Sequence, residues 1–213
     1  MANVQNLKKP IVFTITFSTY TATAIIGEGG SGRIYRATDE DDKANAIKLL
    51  EPSKITRERI KRFKNELNFC QKNQHQNILT VYDHGTIING EQGSPFYVMP
   101  LFDGSLRDLM QSGIPVNKVL EYFAQTLDGV EAAHKQGIIH RDLKLENILY
   151  ATDGDRLVVA DFGIAHFEED DIYTAVETKD TARLANFQCP APIKDTTSYV
   201  RVKDSLASGA GGR

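Results

Sequence analysis

His140-Arg141-Asp142-Leu143-Lys144-Leu145-Glu146-Asn147 forms a polar loop between two apolar, β-type runs, Ile138-Ile139 before it and Ile148-Leu149-Tyr150 after it. It places a lysine two residues and an asparagine five residues beyond an aspartate. That set suits phosphoryl transfer to a hydroxyl. Asp142 would orient the hydroxyl and accept its proton, Lys144 would sit against the moving phosphate, and Asn147 would hold a magnesium ion. A tripeptide such as His-Arg-Asp is a weak signal alone. It gains weight only if the chain supplies the remaining parts in order.

The 213 residues suffice for one large domain or two lobes with a real core. A net charge of −3 argues against a dedicated nucleic-acid binder. Cys70 falls on an apolar helix face and Cys189 in a loop, which speaks against a disulfide framework or a zinc site. The first ten residues have no apolar signal core. Residues 11–17 are too short for a membrane span and read as a strand. A soluble cytoplasmic protein is expected.

Residues 11–17, 19–26, 34–37 and 44–50 alternate as strands, with an acidic turn at 39–43. Gly27-Glu28-Gly29-Gly30-Ser31-Gly32 lies between the second and third of them. Glycine lets backbone N–H groups approach phosphates without Cβ interference. Because a strand follows these glycines, a dinucleotide site, which needs a helix there, is excluded. Lys48 interrupts an apolar strand and, alone, could be an edge lysine with its head in water. Ile60, Phe63, Leu67 and Cys70 form one stripe of a helix over 56–72. Glu66 borders that stripe and, alone, would pair locally with Arg62.

A fourth strand is expected over 79–82. A turn over 89–95 then leads into Phe96-Tyr97-Val98-Met99. Val116, Leu120, Phe123, Leu127 and Val130 predict a long helix ending at Gly137 with a buried apolar face, and His134 continues the stripe as a packed histidine. Leu157-Val158-Val159-Ala160 reads as a buried strand that ends on Asp161-Phe162-Gly163.

From Tyr20 to Gln188 these ordered motifs resemble the Hanks-type Ser/Thr protein kinase catalytic domain. The resemblance implies an α+β, bilobal fold with a β-rich N-lobe and a helical C-lobe. It implies ATP and Mg2+ as cofactors and a Ser/Thr hydroxyl of a protein as acceptor. Asp142, Lys144, Lys48 and Glu66 would be the catalytic set, Lys48 pairing with Glu66. Asn147 and Asp161 would hold metal. ATP would lie against Ile26, Gly27, Glu28, Gly29, Gly30, Ser31, Gly32, Ile34, Ala46, Lys48, Met99, Pro100, Phe102 and Leu149. Met99 falls at the gatekeeper position, and the Phe102 N–H would bond the adenine. Phe162, His140, Cys70 and Val81 match positions that stack between the lobes. Tyr173, Thr174, Thr178 and Thr181 are candidate phosphorylation sites, with Arg141 as a partner for the phosphate.

The expected organisation is an N-terminal extension with an extra strand at 1–19, an N-lobe at 20–101, a partial C-lobe at 102–190 and a divergent, disordered tail at 191–213. Ile193 stands where the family has the glutamate of A-P-E, and no helical stripe follows. A domain truncated after its activation segment is therefore expected. A catalytically impaired nucleotide-binding or regulatory fragment is the alternative.

Overall fold

The computed structural model describes residues 4–30, 32–89, 92–162 and 166–167. Ser31, Gly163, the candidate phosphorylation sites, Cys189 and the 191–213 tail lie outside them.

Six antiparallel strands build the first lobe: β1 (Gln5–Thr14), β2 (Thr19–Gly29), β3 (Gly32–Thr38), β4 (Ala44–Leu49), β5 (Asp83–Asn89) and β6 (Gln92–Pro100). Their order in the sheet is β1-β2-β3-β4-β6-β5. Five of β4's six residues are buried, because both faces of that strand are covered. Phe13, Tyr20, Tyr35, Ile47, Leu49, Phe96 and Val98 pack on one side. Ala46, Tyr97 and Met99 join the core on the other side, together with Phe63, Leu67 and Cys70 of α1 (Arg57–Lys72). Thr56 caps α1, its side chain accepting from the Arg59 N–H at 3.2 Å.

The second lobe has α2 (Leu106–Ser112), α3 (Val116–His134) and small sheets of β7 (Gly104–Ser105), β8 (Ile138–Ile139), β9 (Ile148–Ala151), β10 (Arg156–Val159) and β11 (His166–Phe167). A Cβ on Gly129 would lie 2.4 Å from the Asn77 carbonyl oxygen, so this glycine lets α3 approach the 75–78 segment.

Three expectations fail. β1 starts at Gln5 and stops at Thr14, because residues 15–18 turn, with the Ile15 N–H on the Ser18 carbonyl at 2.9 Å. Residues 79–82 are not a strand. Their N–H groups at Leu79, Val81 and Tyr82 go to Val159, Cys70 and Val98, three separate elements, and the strand begins at Asp83. Among the described residues the α3 stripe is not buried: Val116, Leu120, Phe123 and Leu127 are exposed, Leu120 by 79%, and so is His134. The helix instead buries Tyr122, Gly129 and Ala133 against β10 and its neighbours. Beside the His140–Asn147 loop, Leu106, Met110, Val119, Phe123, Leu143 and Ile148 line an apolar cavity of about 510 Å3.

Candidate active site

Alternation along β4 sends Ile47 and Leu49 to one side of the sheet and Ala46 and Lys48 to the other. Lys48 therefore enters the space between the lobes, only 4% exposed. α1 brings Glu66 to it: the Lys48 ammonium donates to both Glu66 carboxylate oxygens at 2.8 Å. It also donates to Asp161 Oδ1 at 3.0 Å. Burial alone would depress the Lys48 pKa, but the Asp161 and Glu66 carboxylates reverse this and hold it above its ordinary value. For Glu66 burial dominates and raises the carboxyl, with partial relief from Lys48. At Asp161 burial opposes ionisation, yet the neighbouring ammonium outweighs it and keeps the carboxyl below its usual value.

In the loop after β8, Asp142 Oδ2 accepts from Lys144 Nζ at 2.8 Å and from Asn147 Nδ2 at 3.1 Å. Asn147 Nδ2 also donates to the Asp142 carbonyl at 2.8 Å, which folds the loop back on itself. His140 supports it from beneath. Its Nε2 lies 2.8 Å from the Ala160 carbonyl, and its Nδ1 accepts the Asp142 N–H at 3.3 Å. This pair of contacts selects the Nε2–H tautomer, and burial keeps the ring neutral by lowering its pKa. Arg141 and Asp161 hold left-handed backbone, φ 62° and 63°. Such strain in non-glycine residues gathers at functional sites.

The structure thus brings Lys48, Glu66 and Asp161 together, and separately Asp142, Lys144 and Asn147. It also joins most of the expected adenine wall. Ala46 and Met99 are buried in the core that Ile26, Ile34, Phe102 and Leu149 pack against. Pro100 ends β6 opposite Asn45. Among the described residues, a Cβ at Gly29 or Gly30 would meet nothing within 4 Å. Gly32 has φ 132°, and a Cβ there would lie 2.4 Å from the Leu49 carbonyl oxygen. Glu28 reaches outward to Arg33 at 3.1 Å. The rings of His140 and Phe162 lie 4.6 Å apart, with Cys70 and Val81 in the same core.

Sequence reasoning missed Tyr97. Its hydroxyl donates to Glu66 Oε1 at 2.9 Å. The available signal was a phenol in a buried apolar strand, whose register sets it opposite Lys48. A Glu51 hub was also missed. It accepts Arg33 at 2.6 Å and Lys54 at 3.0 Å, and Lys54 also bonds the Gly29 carbonyl at 3.0 Å.

A β-rich lobe and a helix-bearing lobe, meeting at a lysine held by two carboxylates and facing an Asp-Lys-Asn loop, define a protein kinase domain. Residues 20–199 match the protein kinase domain family, and the chain belongs to it. The match starts where the motifs start and runs beyond Gln188, where they stop. The chain is 33% identical over 183 residues to serine/threonine-protein kinase pkn3 of Myxococcus xanthus, covering 81% of this chain and 32% of that protein. It is 33% identical over 162 residues to serine/threonine-protein kinase PknL of Mycobacterium tuberculosis, covering 74% and 39%. It is 36% identical over 154 residues to a probable serine/threonine-protein kinase, pknA2, of Bifidobacterium longum, covering 68% and 20%. The domain is of the Ser/Thr protein kinase type. The chain spans a fifth to two-fifths of the length of these relatives.

Proposed function

We propose that this chain transfers the γ-phosphoryl group of Mg-ATP to a serine or threonine hydroxyl of a protein. One observation carries the reading: buried Lys48 of the first lobe is clamped by Glu66 and by Asp161 of the second lobe, the lobe that also holds an Asp142 carboxylate accepting from Lys144 and Asn147.

ATP lies with its adenine between Ile26, Ile34, Ala46 and Leu149, beside Met99, and along the edge from Pro100 to Phe102, whose N–H bonds the base. The glycine turn covers the phosphates and Lys48 pairs with them. The donor set suits a hard cation: Asp161 offers an ionised carboxylate. Asn147 directs its amide nitrogen at Asp142, leaving its oxygen as ligand atom. When bound there, Mg2+ would supply positive charge against the phosphates. Asp142 orients the acceptor hydroxyl and takes its proton as the oxygen bonds to the γ-phosphorus. The bond from that phosphorus to the β,γ-bridging oxygen breaks, and ADP leaves with the electron pair. Lys144 offsets charge on the moving group. Positioning and electrostatics supply most of the acceleration in such sites. The lobes divide near residue 101, and the chain works in a cytoplasmic setting. No helix among the described residues is long and apolar enough to cross a membrane.

The test is transfer of label from ATP to a generic Ser/Thr protein in the presence of Mg2+. Transfer that survives Asp142→Asn removes Asp142 from its role. A second reading, a nucleotide-binding module without turnover, is favoured by the cavity beside the His140–Asn147 loop and by an α3 stripe that is exposed among the described residues. A rise in Tm with Mg-ATP but no transfer selects it.

A further inference from the structure

We infer that Tyr97 is a positioning residue that fixes Glu66, and through it the Lys48 ammonium, in the phosphate-facing arrangement; this rests on the proposed nucleotide site.

Tyr97 touches every part of that arrangement. It lies directly opposite Lys48 in the β4–β6 pairing. Its ring packs on Phe63 of α1, with centroids 5.2 Å apart, one helical turn before Glu66. Its hydroxyl donates to Glu66 Oε1 at 2.9 Å, an oxygen that also accepts from Lys48 at 2.8 Å. Lys48 Nζ sits 5.7 Å from the Tyr97 ring centroid. The side chain is fully enclosed, 1% exposed.

The consequence follows from what happens when α1 moves. Glu66 travels with α1, whereas Tyr97 belongs to a strand paired on both sides, with β4 and β5. Withdrawing Glu66 leaves a phenol hydroxyl buried with no acceptor, and an unmade buried hydrogen bond is unfavourable. The phenol therefore biases the pair toward the engaged state before nucleotide arrives. It remains a donor across the neutral range, because burial and the Glu66 charge push its pKa well up. The Phe63 contact gives the ring a packing role as well, which Tyr97→Phe retains while removing only the hydroxyl.

The experiment titrates the full chain with Mg-ATP and, separately, with adenosine, by calorimetry. Adenosine reads the base pocket alone, and the margin of Mg-ATP over adenosine reads the phosphate side. For Tyr97→Phe the margin is expected to shrink about tenfold, the size of one hydrogen bond to a charged group, while adenosine affinity stays within about twofold. In a Glu66→Ala background, where the phenol has lost this acceptor, the same substitution is expected to change the margin by less than about twofold. A Tyr97→Phe chain that keeps its full margin overturns the proposal and leaves the nucleotide site standing. Equal weakening of both ligands with a lowered Tm also overturns it, by showing a packing role alone. A wild-type chain with no margin for Mg-ATP over adenosine overturns the nucleotide site, and the role of Tyr97 with it.

Discussion

Replacing Lys48 with methionine isolates the charge at the centre of the cleft, because methionine keeps much of the lysine stem's volume. Glu66 is 1% exposed and takes two 2.8 Å hydrogen bonds from the Lys48 ammonium. Without them its carboxylate keeps the Tyr97 hydroxyl as its remaining hydrogen-bond donor. Breaking a buried pair from one side destabilises by about 3–5 kcal/mol. That is a large fraction of the roughly 5–15 kcal/mol that holds a domain together. The loss depends on pH, and its sign is fixed by the direction of the Glu66 shift. Burial already raises this carboxyl above its ordinary value, and removing the ammonium raises it further. A carboxyl raised in the folded state takes up a proton on folding. Its contribution is present at low pH and is lost as pH climbs through the folded value. Lys48→Met is therefore least damaging near the ordinary carboxylate range and worsens toward pH 8, by up to about 1.4 kcal/mol per pH unit. Urea denaturation of both proteins between pH 5 and pH 8, without nucleotide, measures the difference. A deficit below about 1 kcal/mol that stays flat across that range is what an exposed ion pair would give, and it would refute the reasoning.

Asp142→Asn is expected to lower label transfer by about 10²–10⁴-fold, the usual contribution of a positioned base, with Mg-ATP binding by calorimetry unchanged. Phe13→Ala removes a fully buried ring packed 4.9 Å from Phe96, and denaturant unfolding is expected to register a loss of about 3–5 kcal/mol. Gly32→Ala puts a Cβ 2.4 Å from the Leu49 carbonyl oxygen at φ 132°. A loss of about 1–3 kcal/mol in the same assay is expected, with weaker Mg-ATP binding. Ser105→Ala breaks the capping box of α2, in which Ser105 Oγ accepts the Asp108 N–H and Asp108 accepts the Ser105 N–H, and is expected to lower stability by about 1 kcal/mol. Because these Ser105 contacts hold Asp108 at about 2 rather than 3.8, the wild type loses this contribution as pH falls from 3.8 toward 2. The variant's acid unfolding curve is flatter over that interval.

The site was legible where chemistry demanded a particular residue at a particular spacing. The Asp142, Lys144 and Asn147 side chains meet because two and five residues of loop are enough to bring them together. Glu66 was harder. Helical spacing alone favours Arg62 as its partner, and only the resemblance pointed to Lys48, 18 residues earlier in the chain. Tyr97 was invisible because hydropathy treats it as one more apolar residue of a buried strand, while its role depends on register with β4. Segment 79–82 has a strand's composition but sends its N–H groups to three different elements. The α3 stripe shows the limit of periodicity most plainly. The spacing of Val116, Leu120, Phe123 and Leu127 gives a helix with an apolar face, and that helix exists. Periodicity says nothing of what lies over the face, and among the described residues it is open.

Lys48 is a side chain that joins the two lobes. It arises from the first lobe's sheet, Glu66 from α1, and Asp161 from the end of β10 in the second lobe. Burial alone would depress the pKa of this ammonium, and the Asp161 and Glu66 carboxylates, one from each lobe, together hold it above its ordinary value. The coupling also works in reverse. Lys48 holds Asp161 ionised, so under the proposed function a cation arriving with ATP displaces no proton from it at neutral pH. What must yield is the 3.0 Å Lys48–Asp161 contact, as phosphate oxygens compete for the ammonium. Glu66 cannot follow, since Tyr97 and two Lys48 hydrogen bonds hold it on the α1 side. Under the proposed function, the Lys48–Glu66 half of the clamp is the half that Tyr97 supports, and the Lys48–Asp161 half is the one that nucleotide binding would exchange.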